Sequence, residues 1–308
     1  MNRSMQSVPQ FPAFKPIELS DRQVISDILR EHRPFTSELT FTNLFIWRKH
    51  FDLQWSVHED WLCIIGKEDL CPRFAMGPIG PAGRAGTARL LLEWLKVHAG
   101  DSGPCIERAD ERLALEIWGK PGFLVEETRE HFDYVYLTRD LIDLAGSKYR
   151  AKRNHINQFH RAVASYTYEE LEERHVEECL ALQERWCLLR RCEEDLNLQG
   201  EWDATKEILM NHRALDAVGA VIIVGSEVKA FTLGESLGDD MAVIHIEKAD
   251  PEIPGLYQLI NQQFCARRWS TVRFVNREQD LGITGLREAK LSYNPDHFVK
   301  KYRIMLEG

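Results

Sequence analysis

The sequence predicts an α+β fold built as two successive domains. Strand-like runs punctuated by Gly-Pro and charged turns alternate with amphipathic helical stretches in both halves. The chain has 308 residues, 44% hydrophobic and 28% charged, an ordinary globular composition with length for about two domains. The second half reads as helices, three strands in hairpin order, helix, strand, helix, strand, and the first half echoes that order less regularly. No repeat by residue identity accompanies it, so a duplication rests on element order alone. The break falls at 145/146, giving a first domain over 1–145 and a second over 146–308.

DRQVISDILREHR, from Asp21 to Arg33, places Val24, Ile28 and Leu29 at helical spacing, with Ser20 or Asp21 as N-cap. FDLQWSVHE, WLCIIGKED and PRFAMGPIG follow as a meander of strands. GTARLLLEWLKVHAG is an amphipathic helix with a glycine stop signal at Gly100, and PCIERAD and FLVEETREHFDYVYL add strand-like runs. Ser147 to Met210 reads as almost wholly helical. From Gly219 the strands GAVIIVG, VKAFTLGES and DMAVIHIEKAD appear, then the helix LYQLINQQFCARRW, the strand TVRFVNRE, the helix ITGLREAKLSY and a closing segment, FVKKYRIML.

The net charge of -9 and a pI of about 5.7 argue against binding nucleic acid over the whole surface, so any such contact must be local. Seven cysteines, with no CxxC pair among them, fit buried thiols in a reducing cytoplasm and predict no metal site, although Cys187 and Cys192 are spaced for a metal or a disulfide. The N-terminus lacks an apolar h-region, and runs such as AVIIV (Ala220 to Val224) are too short to span a bilayer, which predicts a soluble cytoplasmic protein. GxxxxGK[ST], GxSxG and HExxH are absent, so P-loop hydrolysis, serine-esterase and zincin chemistry lack support. GPIGPAG, from Gly77 to Gly83, is interrupted by two prolines and reads as a turn.

Against this acidic background, GSKYRAKRNHINQFHR (Gly146 to Arg161) gathers Lys148, Arg150, Lys152, Arg153 and Arg161 with no carboxylate. On a helical period Tyr149, Ile156, Phe159 and Val163 form one stripe, while Arg150, Arg153, Asn154, Asn157 and Arg161 share another face. A solvated surface offset by the nearby EELEERHVEE is the plain reading. However, the cations lack the opposite-charge i,i+4 partners of a helix built for stability, and two Asn amides lie among them. That mixture suits phosphate or carboxylate recognition, with Arg150, Arg153 and Asn154 as the candidates.

Two later segments carry further candidates. DMAVIHIEKAD alternates Val243, His245 and Glu247 on one strand face with Ile244, Ile246 and Lys248 on the other. In PEIPGLYQLINQQF a Pro-Gly turn opens a helix, so the N–H groups around Gly255, Leu256 and Tyr257 form a positive end able to receive a phosphate; Pro and Gly are also ordinary helix-start residues. FVNREQDLGITGLREAKLSYNP is the densest polar cluster: Asn276, Arg277, Glu278 and Asp280 leave a strand, and Arg287, Lys290 and Tyr293 lie on or after a short helix. It is either a substrate site at the sheet's switch region or a salt-bridge network joining loop to helix.

GSKYRAKRNHINQF, HIEKADPEIPGLYQLIN and FVNREQDLGITGLREAKLSYNP together resemble the DUF2156 family, related to the C-terminal catalytic domain of lysyl-phosphatidylglycerol synthases and similar in turn to the Fem peptidyltransferases. The resemblance spans essentially the whole chain. It implies two GNAT-like acyltransferase folds in tandem, each a mixed, mostly antiparallel sheet flanked by helices, and transfer of an aminoacyl group from a charged tRNA to an amine or hydroxyl acceptor. SKYRAKRNHINQF resembles the K-x-R-x-x-I segment that precedes the second fold of Fem-type enzymes. GLREAKLSYNP resembles their G-L-x-x-x-K-x-x-[FY]-x-P segment, which gives Lys290 the place of a lysine proposed to stabilise a substrate phosphate or the reacting carbonyl. The sequence holds no counterpart of the synthases' membrane flippase domain, which argues against a lipid acceptor.

On this reading an amine attacks an activated ester or thioester. Glu247 is the expected general base, because burial on a strand can raise a carboxylate's pKa into a useful range. Lys290 would stabilise developing negative charge and Tyr293 would protonate the leaving group. Gly255, Leu256 and Tyr257 would receive a phosphate from CoA or a tRNA terminus, while Arg150, Arg153, Asn154, Asn276, Arg277, Glu278 and Asp280 would bind substrate. No cofactor is required; the donor is a CoA thioester or an aminoacyl-tRNA, so the partner is an acyl-CoA or a tRNA acceptor end. A CoA-dependent N-acetyltransferase and a non-catalytic RNA- or anion-binding module on the same fold are the alternatives.

Overall fold

The computed structural model describes residues 8–67, 73–98, 103–190 and 196–307. The chain forms two compact units, one running to His131 and resumed from Val299, the other Phe132–Phe298. The first contains β1 (Lys15–Pro16), α1 (Arg22–His32), α2 (Phe41–Trp47), β2 (Gln54–His58), β3 (Trp61–Lys67), β4 (Arg73–Met76), α3 (Ala85–His98), β5 (Cys105–Asp110), α4 (Glu111–Ile117) and β6 (Phe123–Glu127). Local chemistry sets the helix ends. Arg33 closes α1 in a left-handed conformation, Thr40 caps α2 through its hydroxyl, and Asp110 caps α4 by accepting from the Leu113 N–H at 2.6 Å. The stop signal expected at Gly100 lies outside the described residues.

The second unit contains β7 (Asp133–Leu137), α5 (Thr138–Asp143), α6 (Arg150–Ala162), β8 (Thr167–Glu170), α7 (Val176–Arg190), α8 (Leu196–Leu215), β9 (Val218–Val224), β10 (Glu227–Ser236), β11 (Met241–Ala249), α9 (Leu256–Arg268), β12 (Phe274–Asn276), α10 (Thr284–Leu291) and β13 (His297–Val299). The last strand, β14 (Lys301–Leu306), belongs to the first unit. Strand β8 interrupts the stretch that the sequence read as wholly helical.

The two seven-stranded sheets run β1-β2-β3-β4-β5-β14-β6 and β8-β9-β10-β11-β12-β7-β13. Pairings match place for place: a meander of antiparallel strands, one parallel pair (β4 with β5, β11 with β12), then an antiparallel sixth strand. The duplication suggested by element order is thus present as topology. In each sheet the sixth strand comes from a distant part of the sequence. β14 inserts between β5 and β6, and β7 precedes everything else in its own sheet. The chain therefore leaves the first unit at 131/132 and returns at 298/299, whereas the sequence placed one boundary at 145/146, inside the second unit.

The second unit's core lies on the sheet face covered by α6 and α9, where Tyr149, Ile156 and Phe159 meet Leu256, Leu259 and Phe264 over Ile222 and Ile244. Each such side chain contributes about 1.5–3 kcal/mol on burial. Cys63, Cys105, Cys179 and Cys265 carry no disulfide, while Cys187 is disulfide-bonded, contrary to its reading as a thiol; Cys71 and Cys192 lie outside the described residues.

Candidate active site

Strands β11 and β12 are parallel for three residue pairs only, Met241 with Phe274, Ala242 with Val275 and Val243 with Asn276. β12 then ends while β11 continues, and the two part. On the other side of β11, Leu233 pairs with Ile246 and Gly234 with Ile244, so His245 is the extra residue of a bulge. At Gly234 a Cβ would collide with the Val243 carbonyl, so the bulge needs glycine there. The bulge resets the alternation: Ala242 and Ile244 before it and Ala249 after it all enter the same core. Glu247 therefore faces α9 and lies across the sheet from Val243, where strict alternation had put the two side by side.

At the parting, Arg277 Nη2 donates to Glu247 Oε1 at 2.9 Å and Asn261 Nδ2 donates to Glu247 Oε2 at 2.9 Å. The Glu247 and Arg277 side chains are 12% and 15% exposed, so the pair is enclosed but reachable. The sequence expected burial to leave Glu247 looking for a proton; the structure gives it a guanidinium partner. Arg277 sits 4.8 Å from the Tyr293 ring centroid and 5.8 Å from that of Tyr136. Burial raises the Tyr293 phenol above its ordinary range despite the Arg277 charge, so the hydroxyl keeps its proton. The Lys290 ammonium donates to the carbonyls of Arg277 and Glu278. Burial and the Arg277 charge lower it to about 8.

Lys152, counted among the five cations of the basic stretch but placed on neither helix face, is buried. Its ammonium donates to Ser292 Oγ at 2.6 Å and lies 4.0 Å from the Tyr293 ring centroid. Burial and Arg277 lower it, too, to about 8. Arg153 is spent on the carbonyls of Leu144 and Gly146, bracing the turn before α6. The side chains of Arg150, Asn154 and Asn157, in contrast, make no hydrogen bond or ion pair among the described residues and line an open cavity of about 440 Å³ with Gln262 of α9 and Asp143.

The remaining candidates separate into braces and a second cluster. Asn276 is fully buried, donating to Asp133 Oδ2 at 3.0 Å and accepting from the Glu278 N–H at 2.8 Å. Asp280, also buried, accepts from Arg287, the Tyr134 hydroxyl and the Gly282 N–H, which outweigh burial and hold its carboxyl at about 2. This part of the polar segment is the loop-to-helix network. Glu278 instead bonds His245 Nδ1 at 2.9 Å, with Glu235 at 2.9 Å from the other ring nitrogen. Burial alone would lower this imidazole, but the two carboxylates raise it to about 9. At the start of α9, Gly255 is the N-cap with φ +77°, and a Cβ there would collide with the backbone of α6 at His155. Leu256 is buried and the Tyr257 hydroxyl accepts from Trp186 Nε1 at 3.0 Å.

The family described as phosphatidylglycerol lysyltransferase, C-terminal, matches residues 30–305. The chain belongs to this family. A conserved protein of unknown function from Bacteroides thetaiotaomicron is 34% identical with a TM-score of 0.86, over 96% of this chain and 99% of that one. L-PGS from Bacillus licheniformis (13% identical, TM-score 0.64, 97% and 94% covered) and FemX (9% identical, TM-score 0.56, 96% and 97% covered) share the fold. The uncharacterized protein MYCGA3080 of Mycoplasmoides gallisepticum is 25% identical over 201 residues, and the match spans 63% of this chain and 63% of that relative's length. No described helix is long and apolar enough to cross a membrane.

In this member of the lysyltransferase C-terminal family the first unit's equivalent helix start is already filled. The N–H groups of Gly83 and Arg84 donate to Glu116 Oε2 at 3.0 and 2.8 Å, and Arg84 Nε donates to Glu116 Oε1 at 3.0 Å. A carboxylate of the chain itself thus sits where an anion would bind ahead of α3. Sequence reasoning missed Asn261, Lys152, Tyr136 and Glu235. For Lys152 a signal existed, since 149, 152, 156 and 159 share one helical stripe, but its charge masked it.

Proposed function

We propose that the site where β11 and β12 part transfers an aminoacyl group from a charged tRNA to an amine or hydroxyl acceptor. The observation that carries this reading is the Glu247–Arg277 pair, enclosed but reachable, in a chain of an acyltransferase family. Arg277 would stabilise the oxygen of the tetrahedral intermediate, the largest single contribution in acyl transfer. Lys290 would hold the backbone carrying Arg277 and so fix the guanidinium, acting as a positioning residue. Glu247 would take the proton of the attacking group, and Tyr293, protonated and beside Arg277, would hand one to the leaving oxygen. Arg150, Asn154 and Asn157 would receive phosphates of the tRNA end, a few contacts that suit a chain of net charge -9.

A CoA thioester donor would use the start of α9, and there the α6 backbone against Gly255 occupies one flank, which favours the tRNA donor. A thermal-shift titration against CoA, acetyl-CoA and charged and uncharged tRNA, at two salt concentrations, tests the choice. The expected result is a salt-sensitive shift with tRNA that Arg150→Ala/Asn154→Ala removes. A shift with CoA alone would move the assignment to acetyl transfer, and no shift with any of them would favour a non-enzymatic role.

A further inference from the structure

We infer that the acceptor is a primary amine, held between Glu247 and Asn261 while Arg277 binds the acyl oxygen. The inference rests on the acyl-transfer reading above and chooses between its two classes of nucleophile. Asn261 is 1% exposed. A carboxylate only accepts, so the bond from Asn261 Nδ2 to Glu247 fixes which way the amide points. That leaves Asn261 Oδ1 buried with no partner. Arg277 mirrors it: Nη2 is bonded to Glu247, and Nη1 is buried with no partner. One carboxylate is therefore flanked by an unused acceptor and an unused donor. Buried groups of this kind are rarely left unmatched in a folded protein.

Counting donors identifies what completes the set. A neutral primary amine offers two N–H groups and one lone pair. One N–H meets Glu247, the other meets Asn261 Oδ1, and the lone pair faces an acyl carbon whose oxygen accepts from Arg277 Nη1. The nitrogen bonds to that carbon, one N–H proton passes to Glu247, and the ester C–O bond breaks. The ester oxygen then leaves carrying one proton, so an amine and an ester become an amide and an alcohol. A hydroxyl nucleophile has a single donor. With it on Glu247, Asn261 Oδ1 stays unpaired, which disfavours the alcohol by about tenfold or more.

The test is an NMR titration of isotope-labelled protein with trifluoroethylamine, a weak base that is neutral at mildly alkaline pH, and, separately, trifluoroethanol, following the Asn261 side-chain amide and the Arg277 guanidinium. The amine should shift both resonances saturably, the alcohol should bind at least about tenfold more weakly, and Asn261→Leu should erase the difference. Equal responses to the two compounds, or none at either residue, would overturn the inference and assign the unmatched atoms to a bridging water. The wild-type comparison decides this even if the variant fails to fold. If the amine binds as described but no charged tRNA supports transfer, only the donor assignment falls; if tRNA-dependent transfer proceeds equally to amine and alcohol, that assignment stands and this inference falls.

Discussion

Lys290 and His245 are both partly buried ionisable groups, yet their surroundings push them in opposite directions, and each makes a separate prediction. Lys290 serves the carbonyls of Arg277 and Glu278, the second of which also accepts from the Tyr134 N–H, so Lys290→Met should destabilise the protein by about 1–3 kcal/mol in urea unfolding. His245, raised to about 9 from an ordinary value of 6.5, binds its proton more tightly folded than unfolded. Its stabilising contribution is complete below pH 6.5 and lost as pH rises through 9. Relative to His245→Gln, the wild type should lose on the order of 3 kcal/mol of stability across that window. Equal pH profiles for the two proteins would contradict the charged imidazole. Lys152 and Lys290, lowered to about 8, act with the opposite sign between pH 8 and 10.5, which is why the comparison is made as a difference. Of the site, Glu247, Arg277, Lys290 and Tyr293 were legible as polar residues leaving strands and a helix. Asn261 was not, because an Asn beside the apolar stripe of α9 carries no local sign that a carboxylate waits across from it.

At the scale of elements, two joints hold α6 in place. The α6–α9 contact depends on Gly255, whose left-handed backbone and lack of a Cβ let the helices touch. Gly255→Ala should cost about 2–4 kcal/mol. Along α6 itself, Arg150 and Arg153 looked alike in sequence, both being cations on one face. Arg153 braces the turn at Leu144 and Gly146, and Arg150 makes no hydrogen bond or ion pair among the described residues. Arg153→Ala should therefore lower the melting temperature, while Arg150→Ala should change stability by less than about 0.5 kcal/mol and weaken salt-dependent tRNA binding instead. Helix α9 and strands β9 to β11 were readable because their apolar periodicity is strong. The bulge at His245 was invisible, since one extra residue leaves the composition of a strand unchanged while reversing its faces.

On the scale of the whole molecule, the two sheets share one strand order, and each takes its sixth strand from far away in sequence. No local pattern announces such a pairing, which is why β14 read only as a closing segment and the domain boundary was set at 145/146. Deleting residues 299–308 should remove hydrogen-exchange protection from β5 and β6, its two neighbours, and leave that of β11 intact. The duplicated units differ at this equivalent place: Glu116 fills the helix start in the first unit, while the parting in the second holds a reachable ion pair. The most direct test is single-turnover transfer from a charged tRNA pool to a primary-amine acceptor, wild type against Glu247→Gln. A fall of about 10²–10⁴-fold with an unchanged melting temperature is the result this account predicts; undiminished transfer by the variant would contradict it.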